Sequence, residues 1–352
     1  MSYSLGMAAI NLEMPDIIPR TEYAYQGAYE LLRNVTGIQV YPESDGDTKF
    51  DAICSFERAW DISMFWGIKI GGDIFKGFRT SMGHAGFVEG FADFKDNKHE
   101  AFTEPEEVYS FDMYRTFGNV DILKATGLFN EDIEGKCRRH PTGVNTTGIY
   151  VTCISGILEL LGWDMLLLSA GEDPKRFGEF TVRYQEWISQ YFRALALSDA
   201  PVVMIHDDMV WSAGPFIAPA WYDRYVFPYV KKNIAVLKEA GKKVLFTCDG
   251  GYNLFIDRFA ALGIDAFIFE PLTDLKYICE KYGKTHCIIG NADTRIIMRG
   301  TKQEIHDEVK RCFDLGRSCP GYMFALGNQI SPGTKIDNLL YYNEMYEAMK
   351  RR

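Results

Sequence analysis

Two short apolar stretches decide the fold of this chain: Val-Val-Met-Ile-His-Asp-Asp at residues 202–208 and Val-Leu-Phe-Thr-Cys-Asp-Gly at residues 244–250. A helical pattern from Pro219 to Ala240 separates them, and Gly241 is predicted to end that helix. An apolar run of this length followed by a helix is typical of a buried parallel strand. The carboxyl ends of parallel strands meet at one face of an α/β fold. The ionisable residues that end the two runs are therefore predicted to share a site.

Strand and helix patterns alternate along most of the chain. About eight strands are predicted, and the six outside the quoted stretches lie near residues 17–23, 68–70, 147–151, 265–269, 286–290 and 322–326. Helical patterns between the strands indicate right-handed βαβ units and a parallel sheet. No Gly-x-Gly-x-x-Gly turn follows the first strand, which argues against a doubly wound dinucleotide-binding sheet. The sequence therefore predicts a closed (β/α)8 TIM barrel.

The whole chain, residues 1–352, is predicted to form this single barrel domain, with residues 1–140 as its irregular and elaborated N-terminal part. Between residues 41 and 99, Gly, Asp and Lys are frequent but aromatic residues persist. A disordered linker would be poor in Phe and Trp, so we expect a β-rich elaboration there. Two residues open later helices: Asp173 before Pro174, and Thr301 with Glu304 in a capping-box pattern.

Composition excludes several classes of function. The net charge is −10 and no run of Lys and Arg occurs, so neither nucleic acid nor an anionic membrane is expected as the main partner. The eight cysteines lack paired spacing, which favours reduced core cysteines. No secretory signal pattern and no run of about 18 apolar residues is present, so a cytoplasmic enzyme is expected.

Polar residues follow most of the predicted strands, and a barrel would bring them to one face. These residues are Glu22, His206, Asp207, Asp208, Cys248, Asp249, Glu270, Asn291, Asp293 and Asn328. Buried carboxylates are costly unless they are paired, protonated or bound to a metal, so such a ring indicates a functional site. Two alternatives stay open: Asp249 and Asp293 could cap helices, and His206 could point outward.

Several motifs in the second half resemble the uroporphyrinogen decarboxylase superfamily, and most closely its corrinoid-dependent methyltransferase branch. The matching motifs are His206-Asp207-Asp208, Phe216-Ile-Ala-Pro219, Phe227-Pro228-Tyr229, Gly241-Lys-Lys-Val-Leu, Gly290-Asn291-Ala292-Asp293 and Gly300-Thr301 with Glu304. The resemblance covers residues 145–352, whereas the first 140 residues match only through Pro19-Arg20-Thr21-Glu22. It implies a (β/α)8 barrel with its site at the carboxyl ends of the strands.

The resemblance also separates two chemistries. Decarboxylases of the superfamily carry an N-terminal Arg-rich motif for the substrate's carboxylates, and no such motif is found here. Methyltransferases of the branch transfer a methyl group from a small donor to the Co(I) corrinoid (cobamide) of a separate corrinoid protein. Many bind zinc through a His-x-Cys pair on the fifth strand and a Cys on the eighth. By this comparison Phe246, Cys248 and Asn328 occupy those positions, so the usual zinc site is not expected, and Cys248 is a ligand only if a metal is bound.

Without that zinc, a leaving group handled by proton transfer is expected, which favours a methoxylated aromatic compound as methyl donor. The candidates for the proton donor are Asp208, Asp249 and Glu270, because crowded carboxyl groups keep at least one proton near neutral pH. The residues expected to bind the substrate are Glu22, Tyr150, His206, Trp211, Phe246, Asn291 and Asn328. Of these, Tyr150, Trp211 and Phe246 are predicted to form aromatic walls.

Other functions remain open at this stage. The methyl donor could be methanol, a methylamine or a thiol, or the protein could be a uroporphyrinogen-type decarboxylase. A further alternative is a barrel without catalytic activity that binds a corrinoid or a tetrapyrrole. The ring of carboxylates argues against this last alternative, because without a function it would only destabilise the fold.

Overall fold

The structure is a computed structural model that describes residues 2–80, 86–88, 91–93, 101–331 and 333–352. Its strands are β1 Arg20–Thr21, β2 Ile62–Phe65, β3 Gly86–Val88, β4 Phe91–Asp93, β5 Val144–Asn145, β6 Thr147–Ile149, β7 Val202–His206, β8 Lys243–Cys248, β9 Ala266–Phe269, β10 Cys287–Ile289 and β11 Tyr322–Met323. Strands β3 and β4 form an antiparallel hairpin, and the other pairings between these strands are parallel. Part of the predicted elaboration, at residues 81–85, 89–90 and 94–100, lies outside the described residues.

Eight parallel strands close into a barrel, which confirms the predicted fold. One sheet runs β1-β2-β5 and the other β6-β7-β8-β9-β10-β11. Strands β5 and β6 are one barrel strand interrupted at Thr146, whose hydroxyl donates to the carbonyl of Phe65 at 3.0 Å. The ring closes where Arg20 pairs with Phe324 in parallel. In this order β7 and β8, the two opening stretches, are the fourth and fifth barrel strands.

Helices surround the barrel. They are α1 Ser2–Ile10, α2 Tyr29–Thr36, α3 Gly46–Ala59, α4 Pro105–Ser110, α5 Met113–Phe117, α6 Ile122–Arg139, α7 Ile154–Glu172, α8 Pro174–Leu197, α9 Pro219–Tyr225, α10 Phe227–Glu239, α11 Ile256–Ala260, α12 Leu275–Tyr282, α13 Thr294–Arg299, α14 Lys302–Gly316 and α15 Ile336–Met349. Short 3-10 turns lie at Gly72–Phe78 and Asn253–Phe255. The predicted caps are present: Asp173 accepts from two N–H groups of α8, and Thr301 and Glu304 form the capping box of α14.

Side chains that point into the barrel form a core of their own, separate from the core between barrel and helices. Met204, Leu245 and Ile268 belong to this interior, together with Ala9 and Ile10 of α1. Helix α1 therefore packs against one end of the barrel. Gly6 permits this approach, because a Cβ there would come within 2.4 Å of the carbonyl oxygen of Ser63. Since side chains alternate along a strand, this interior layer also fixes which residues face the site at the other end.

The N-terminal third differs most from the sequence prediction. The second barrel strand is Ile62–Phe65, not residues 68–70, where Ile70 makes only an isolated bridge to Ile149. Residues 46–59 form helix α3 instead of β structure, because their apolar side chains recur with helical spacing: Ala52 and Phe56 are fully buried. Strand β2 follows this helix after only two residues. The sequence therefore shows no clear boundary between the helix and the strand, and the strand was not predicted.

Helix α7 is long and apolar enough to meet a membrane-span criterion by length and composition. Of its most apolar window, 67% is buried inside the fold, and it packs along α8. A core helix meets the same criterion.

Candidate active site

A cavity of about 390 Å³ opens at the carboxyl ends of the barrel strands. Its lining includes Tyr150, His206, Asp208, Asp249 and Asn328, which the sequence had predicted as site residues. This volume is within the range of small-molecule sites in proteins. The structure thus brings five of the predicted residues to one cavity, while their chemical roles stay predictions.

His206 and Asp208 form an ion pair at the end of β7. The imidazole Nε2 lies 2.9 Å from Oδ1 of Asp208, and the hydroxyl of Tyr150 donates to Oδ2 at 3.0 Å. Burial alone would lower the pKa of His206, but the Asp208 carboxylate outweighs it and raises that pKa to about 9. In turn, although burial would raise the pKa of Asp208, the charge and hydrogen bond of His206 hold it below the ordinary value. Asp208 is therefore ionised at neutral pH.

Asp249 is the second acid, at the end of β8. Burial and then the neighbouring charge of Asp208 raise its pKa to about 8, so it is mostly protonated at neutral pH. Its backbone N–H donates to Oδ1 of Asp208 at 3.0 Å, which fixes the two acids side by side. The next residue, Gly250, has φ +86°, and a Cβ there would come within 2.8 Å of the carbonyl oxygen of Trp211. This turn therefore requires glycine.

Glu270 supports the site and does not line the cavity. Its Oε2 accepts a hydrogen bond from the backbone N–H of Gly250 at 2.6 Å, and its Oε1 accepts one from the Asn328 amide at 2.6 Å. The Asn328 side chain in turn reaches Asp249. Both oxygens of Glu270 thus hold the turn that carries Asp249 and the amide beside it.

Asp207 has a structural role. It is fully buried, and its carboxylate accepts hydrogen bonds from the backbone N–H of Ser155 at 2.8 Å and from the hydroxyl of Thr152 at 2.7 Å. The carboxylate thus provides an acceptor for a free N–H group in the first turn of α7. Asp293 likewise caps α13 and pairs with Arg295. For Asp293, the alternative of a helix cap is confirmed.

The prediction that Phe246 forms a wall of the site was wrong, and so was the placement of Cys248. Leu245 points into the barrel and Thr247 and Asp249 line the cavity, so alternation along β8 turns Phe246 and Cys248 outward. Phe246 is 1% exposed and packs on Phe259, with ring centroids 4.8 Å apart. Cys248 is buried in the same outer core, where burial raises the pKa of its thiol. Thr247 and Asp249, one residue further along, are the pair that faces the cavity.

Three further residues that were predicted to bind the substrate lie outside the cavity lining: Glu22, Asn291 and Trp211. Glu22 is buried and accepts hydrogen bonds from Arg20, Tyr342 and the backbone N–H of Leu326. Asn291 donates to the carbonyl oxygens of Glu270 and Thr273, at 3.3 and 3.1 Å.

Trp211 is 45% exposed and packs against the rings of Trp163 and Phe216, outside the cavity lining. The predicted substrate contacts of Glu22, Asn291 and Trp211 are therefore not supported by their positions.

Sequence reasoning missed part of the cavity wall. Tyr23 and Trp66 line it, with ring centroids 5.1 Å apart, and Tyr23 is 41% exposed, so the cavity reaches the surface here. Trp66 directly follows β2, and Tyr23 lies two residues after the end of β1. That position would have indicated them if the boundaries of β2 had been correct.

Two buried polar atoms belong to cavity-lining residues and have no hydrogen-bond partner within the described residues. They are Oγ1 of Thr247 and Nε2 of Gln329. Buried polar atoms in proteins are nearly always satisfied, so each indicates a group that binds there. His206, Asp208 and Asp249 could also hold a metal ion, because one ligand atom from each lies within 4.8 Å of the others.

Comparison with known proteins identifies the family. The sequence profile described as "Uroporphyrinogen decarboxylase (URO-D)" matches residues 152–350, more than half of the chain. The chain belongs to the uroporphyrinogen decarboxylase family. The resemblance to the uroporphyrinogen decarboxylase superfamily is thereby confirmed.

Curated members of the uroporphyrinogen decarboxylase family match over part of their length. A uroporphyrinogen decarboxylase of Syntrophotalea carbinolica is 25% identical over 222 residues, 62% of each protein. One of Paraburkholderia phytofirmans is 28% identical over 155 residues, 43% of this chain and 41% of that protein. The chain thus spans less than two thirds of the length of these curated relatives.

A solved structure of a methyltransferase from Methanosarcina mazei matches nearly the whole fold. The match covers 98% of this chain and 99% of that chain, with a TM-score of 0.66 and 14% sequence identity. At this identity the match establishes the fold, including the N-terminal part before residue 152 that the family profile does not cover.

The cavity of this member of the uroporphyrinogen decarboxylase family is lined by aromatic, acidic and amide side chains. Among the cavity-lining residues that the structure describes, none is Arg or Lys. A substrate with many carboxylates would require such cations for its binding.

Proposed function

We propose that this protein is a corrinoid-dependent methyltransferase that removes the methyl group of an aryl methyl ether. The methyl group goes to the Co(I) corrinoid of a partner protein, and a phenol is released. One observation carries the proposal: Asp249, a carboxyl group with its pKa raised to about 8, faces an aromatic-walled cavity. A protonated carboxyl group at neutral pH is suited to donate a proton to a leaving phenolate.

In this reaction the corrinoid supplies the nucleophile that accepts the methyl group. As the bond between the methyl carbon and the ether oxygen breaks, that oxygen keeps the electron pair. Asp249 donates its proton to this oxygen, so the product leaves as the neutral phenol. Such positioned proton transfer typically accelerates a reaction by about 10²–10⁴-fold.

The neighbours of Asp249 keep it protonated before the reaction. The ionised Asp208 stands beside it and repels a second negative charge, while His206 and Tyr150 stabilise the charge on Asp208. Asp208 is therefore a positioning residue, and Glu270 has the same role through Gly250 and Asn328.

The cavity wall suits a flat, small donor. Tyr23, Trp66 and Tyr150 provide aromatic faces, and the buried hydroxyl of Thr247 and amide of Gln329 would bind polar ring substituents. The cavity reaches the surface beside the half-exposed Tyr23, so a corrinoid on a partner protein could meet the substrate at this opening.

A divalent metal is compatible with the same residues. The nitrogen of His206 and the carboxylates of Asp208 and Asp249 are donors that zinc accepts, and a metal there would act as a Lewis acid on the leaving oxygen. Methanol or a thiol as donor would require such activation. Decarboxylation of a porphyrinogen is disfavoured by the absence of cationic residues among the described cavity lining.

The proposal is tested by incubating the purified protein with cob(I)alamin and a panel of methyl donors, and following methylcobalamin by absorbance. We expect turnover with methoxybenzoates, in step with release of the corresponding phenol, and none with methanol, methylamine or methanethiol. Metal analysis of the same preparation decides whether a metal takes part. Two results would contradict the proposal. One is turnover with methanol or a thiol but not with methoxybenzoates, and the other is no turnover with any donor of the panel.

A further inference from the structure

Away from the active-site cavity, three side chains of different chemistry converge between α3 and the end of α6. They are Cys54 and Glu57 on α3 and His140, the residue that follows α6. One ligand atom from each lies within 4.8 Å of the others. Cys54 and Glu57 are three positions apart on a helix and so lie on one face, which points both at His140.

The geometry of this cluster is held from several sides. Nδ1 of His140 lies 2.7 Å from Oε2 of Glu57, and its ring rests on Phe65 with centroids 4.9 Å apart. The hydroxyl of Tyr25 donates to the other oxygen of Glu57 at 2.6 Å. Imidazole and carboxylate are therefore oriented before any ligand arrives, which lowers the entropic cost of binding one.

The charge of the cluster points to a cation. Glu57 is 2% exposed, and in the part of the chain that the structure describes its ion-pair partner is the imidazole of His140, with no Lys or Arg in contact. A buried carboxylate without a full counter-charge is costly. A divalent cation between the three side chains would remove that cost.

We propose that Cys54, Glu57 and His140 form a zinc site. Thiolate sulfur, imidazole nitrogen and carboxylate oxygen together are the donor set of zinc, whereas calcium and magnesium select oxygen ligands alone. Three protein ligands leave one position of a tetrahedral site open. His140 also lines a second cavity of about 360 Å³, through which the ion can enter.

Zinc in this position would join α3 to the end of α6. Each ligand must be deprotonated to bind. Binding therefore releases protons, so affinity for zinc is expected to increase as the pH rises from about 6 to about 8.

Cobalt(II) is the probe that distinguishes this site, because only a thiolate ligand gives an intense sulfur-to-cobalt charge-transfer band in the near ultraviolet. Full-length protein freed of metal by chelation is titrated with Co²⁺ and then with Zn²⁺. We expect the band to appear with one equivalent of Co²⁺ and to disappear as Zn²⁺ replaces it. The second metal-capable group, His206 with Asp208 and Asp249, has no sulfur ligand and gives no such band.

Matched variants separate the site from other thiols. Cys54→Ser and His140→Gln are conservative, so both are expected to fold; each should remove the band or weaken zinc affinity by about tenfold or more. Cys137→Ser, at an exposed position in α6, and His206→Ala should keep it. No charge-transfer band in the wild-type protein, or an equal band in Cys54→Ser with circular dichroism unchanged, would overturn the proposal. Tyr25, Glu57 and His140 would then be a metal-free hydrogen-bond network.

Discussion

The backbone N–H of Asp249 donates a hydrogen bond to Oδ1 of Asp208 at 3.0 Å, and this contact joins two acids at the ends of neighbouring strands. His206 supplies one positive charge for both, through its ion pair with Asp208. The two pKa values therefore separate: Asp208 is ionised and Asp249 protonated at neutral pH. Two adjacent acids with opposite protonation states are typical of acid–base catalysis.

The proton on Asp249 makes stability depend on pH. Its pKa is about 8 in the folded protein and about 4 in the unfolded chain, so between these values the folded state holds a proton that the unfolded state has lost. Stability must therefore fall as the pH rises through this window, by at most about 1.4 kcal/mol per pH unit for one group. Asp249→Asn removes this loss. Urea unfolding at pH 5, 7 and 9 should show the variant gaining stability relative to the wild type as pH rises; a constant difference would contradict the assignment.

Phe246 and Tyr23 should respond to mutation in opposite ways. Phe246 packs in the outer core, so Phe246→Leu is expected to cost about 1 kcal/mol of stability and leave KM unchanged. Tyr23 is 41% exposed at the cavity opening, so Tyr23→Leu should raise KM with little loss of stability. Thermal melts and steady-state kinetics of both variants check this. A raised KM in Phe246→Leu would indicate that the Phe246 ring contacts the substrate, which contradicts its assignment to the outer core.

The contrast between these two rings explains how far the sequence could be interpreted. From residue 144 onward, apolar runs with clear boundaries gave the strands, and polar residues at their ends gave Tyr150, His206, Asp208, Asp249 and Asn328.

Two features could not be obtained in this way. Side chains of β8 alternate between the barrel interior and the helices, and the sequence alone does not show which set points inward. Phe246 was therefore assigned to the site in place of Thr247. In the N-terminal third, β2 follows α3 after only two residues, so no turn signal separates them, and Tyr23 and Trp66 were missed with it.

Thr247 tests whether a buried polar atom without a partner marks a substrate contact. Thr247→Val keeps the shape of the side chain and removes the hydroxyl. Because Oγ1 has no partner within the described residues, the free energy of unfolding should stay equal or increase. The substrate contact is lost, so KM should rise by about 5–10-fold, the equivalent of one hydrogen bond. Thr247→Ser is the control that retains the hydroxyl. A lowered stability with unchanged KM would mean that the hydroxyl has an internal role.

Glu270 should affect structure more than chemistry. Glu270→Ala leaves the N–H of Gly250 and the amide of Asn328 without their acceptor, which is expected to cost about 1–3 kcal/mol of stability. Glu270→Gln keeps one acceptor oxygen and should recover part of that loss. Glu270→Gln also removes a charge that helps to raise the pKa of Asp249, so activity should decline at a lower pH than in the wild type, while kcat below that pH stays near the wild-type value. A kcat lowered by about 10²-fold or more at every pH would indicate that Glu270 itself transfers the proton.

The central claim, that Asp249 protonates the leaving oxygen, is tested most directly by varying the leaving group. Methyl transfer from aryl methyl ethers to cob(I)alamin is measured for wild type and Asp249→Asn, with ring substituents that make the released phenol progressively more acidic. We predict that kcat of the wild type changes little along the series and declines above pH 8. The variant should be about 10²–10⁴-fold slower with the least acidic phenol and recover steadily as acidity increases, because a stable phenolate needs no proton. Equal dependence on phenol acidity in both proteins would contradict the account.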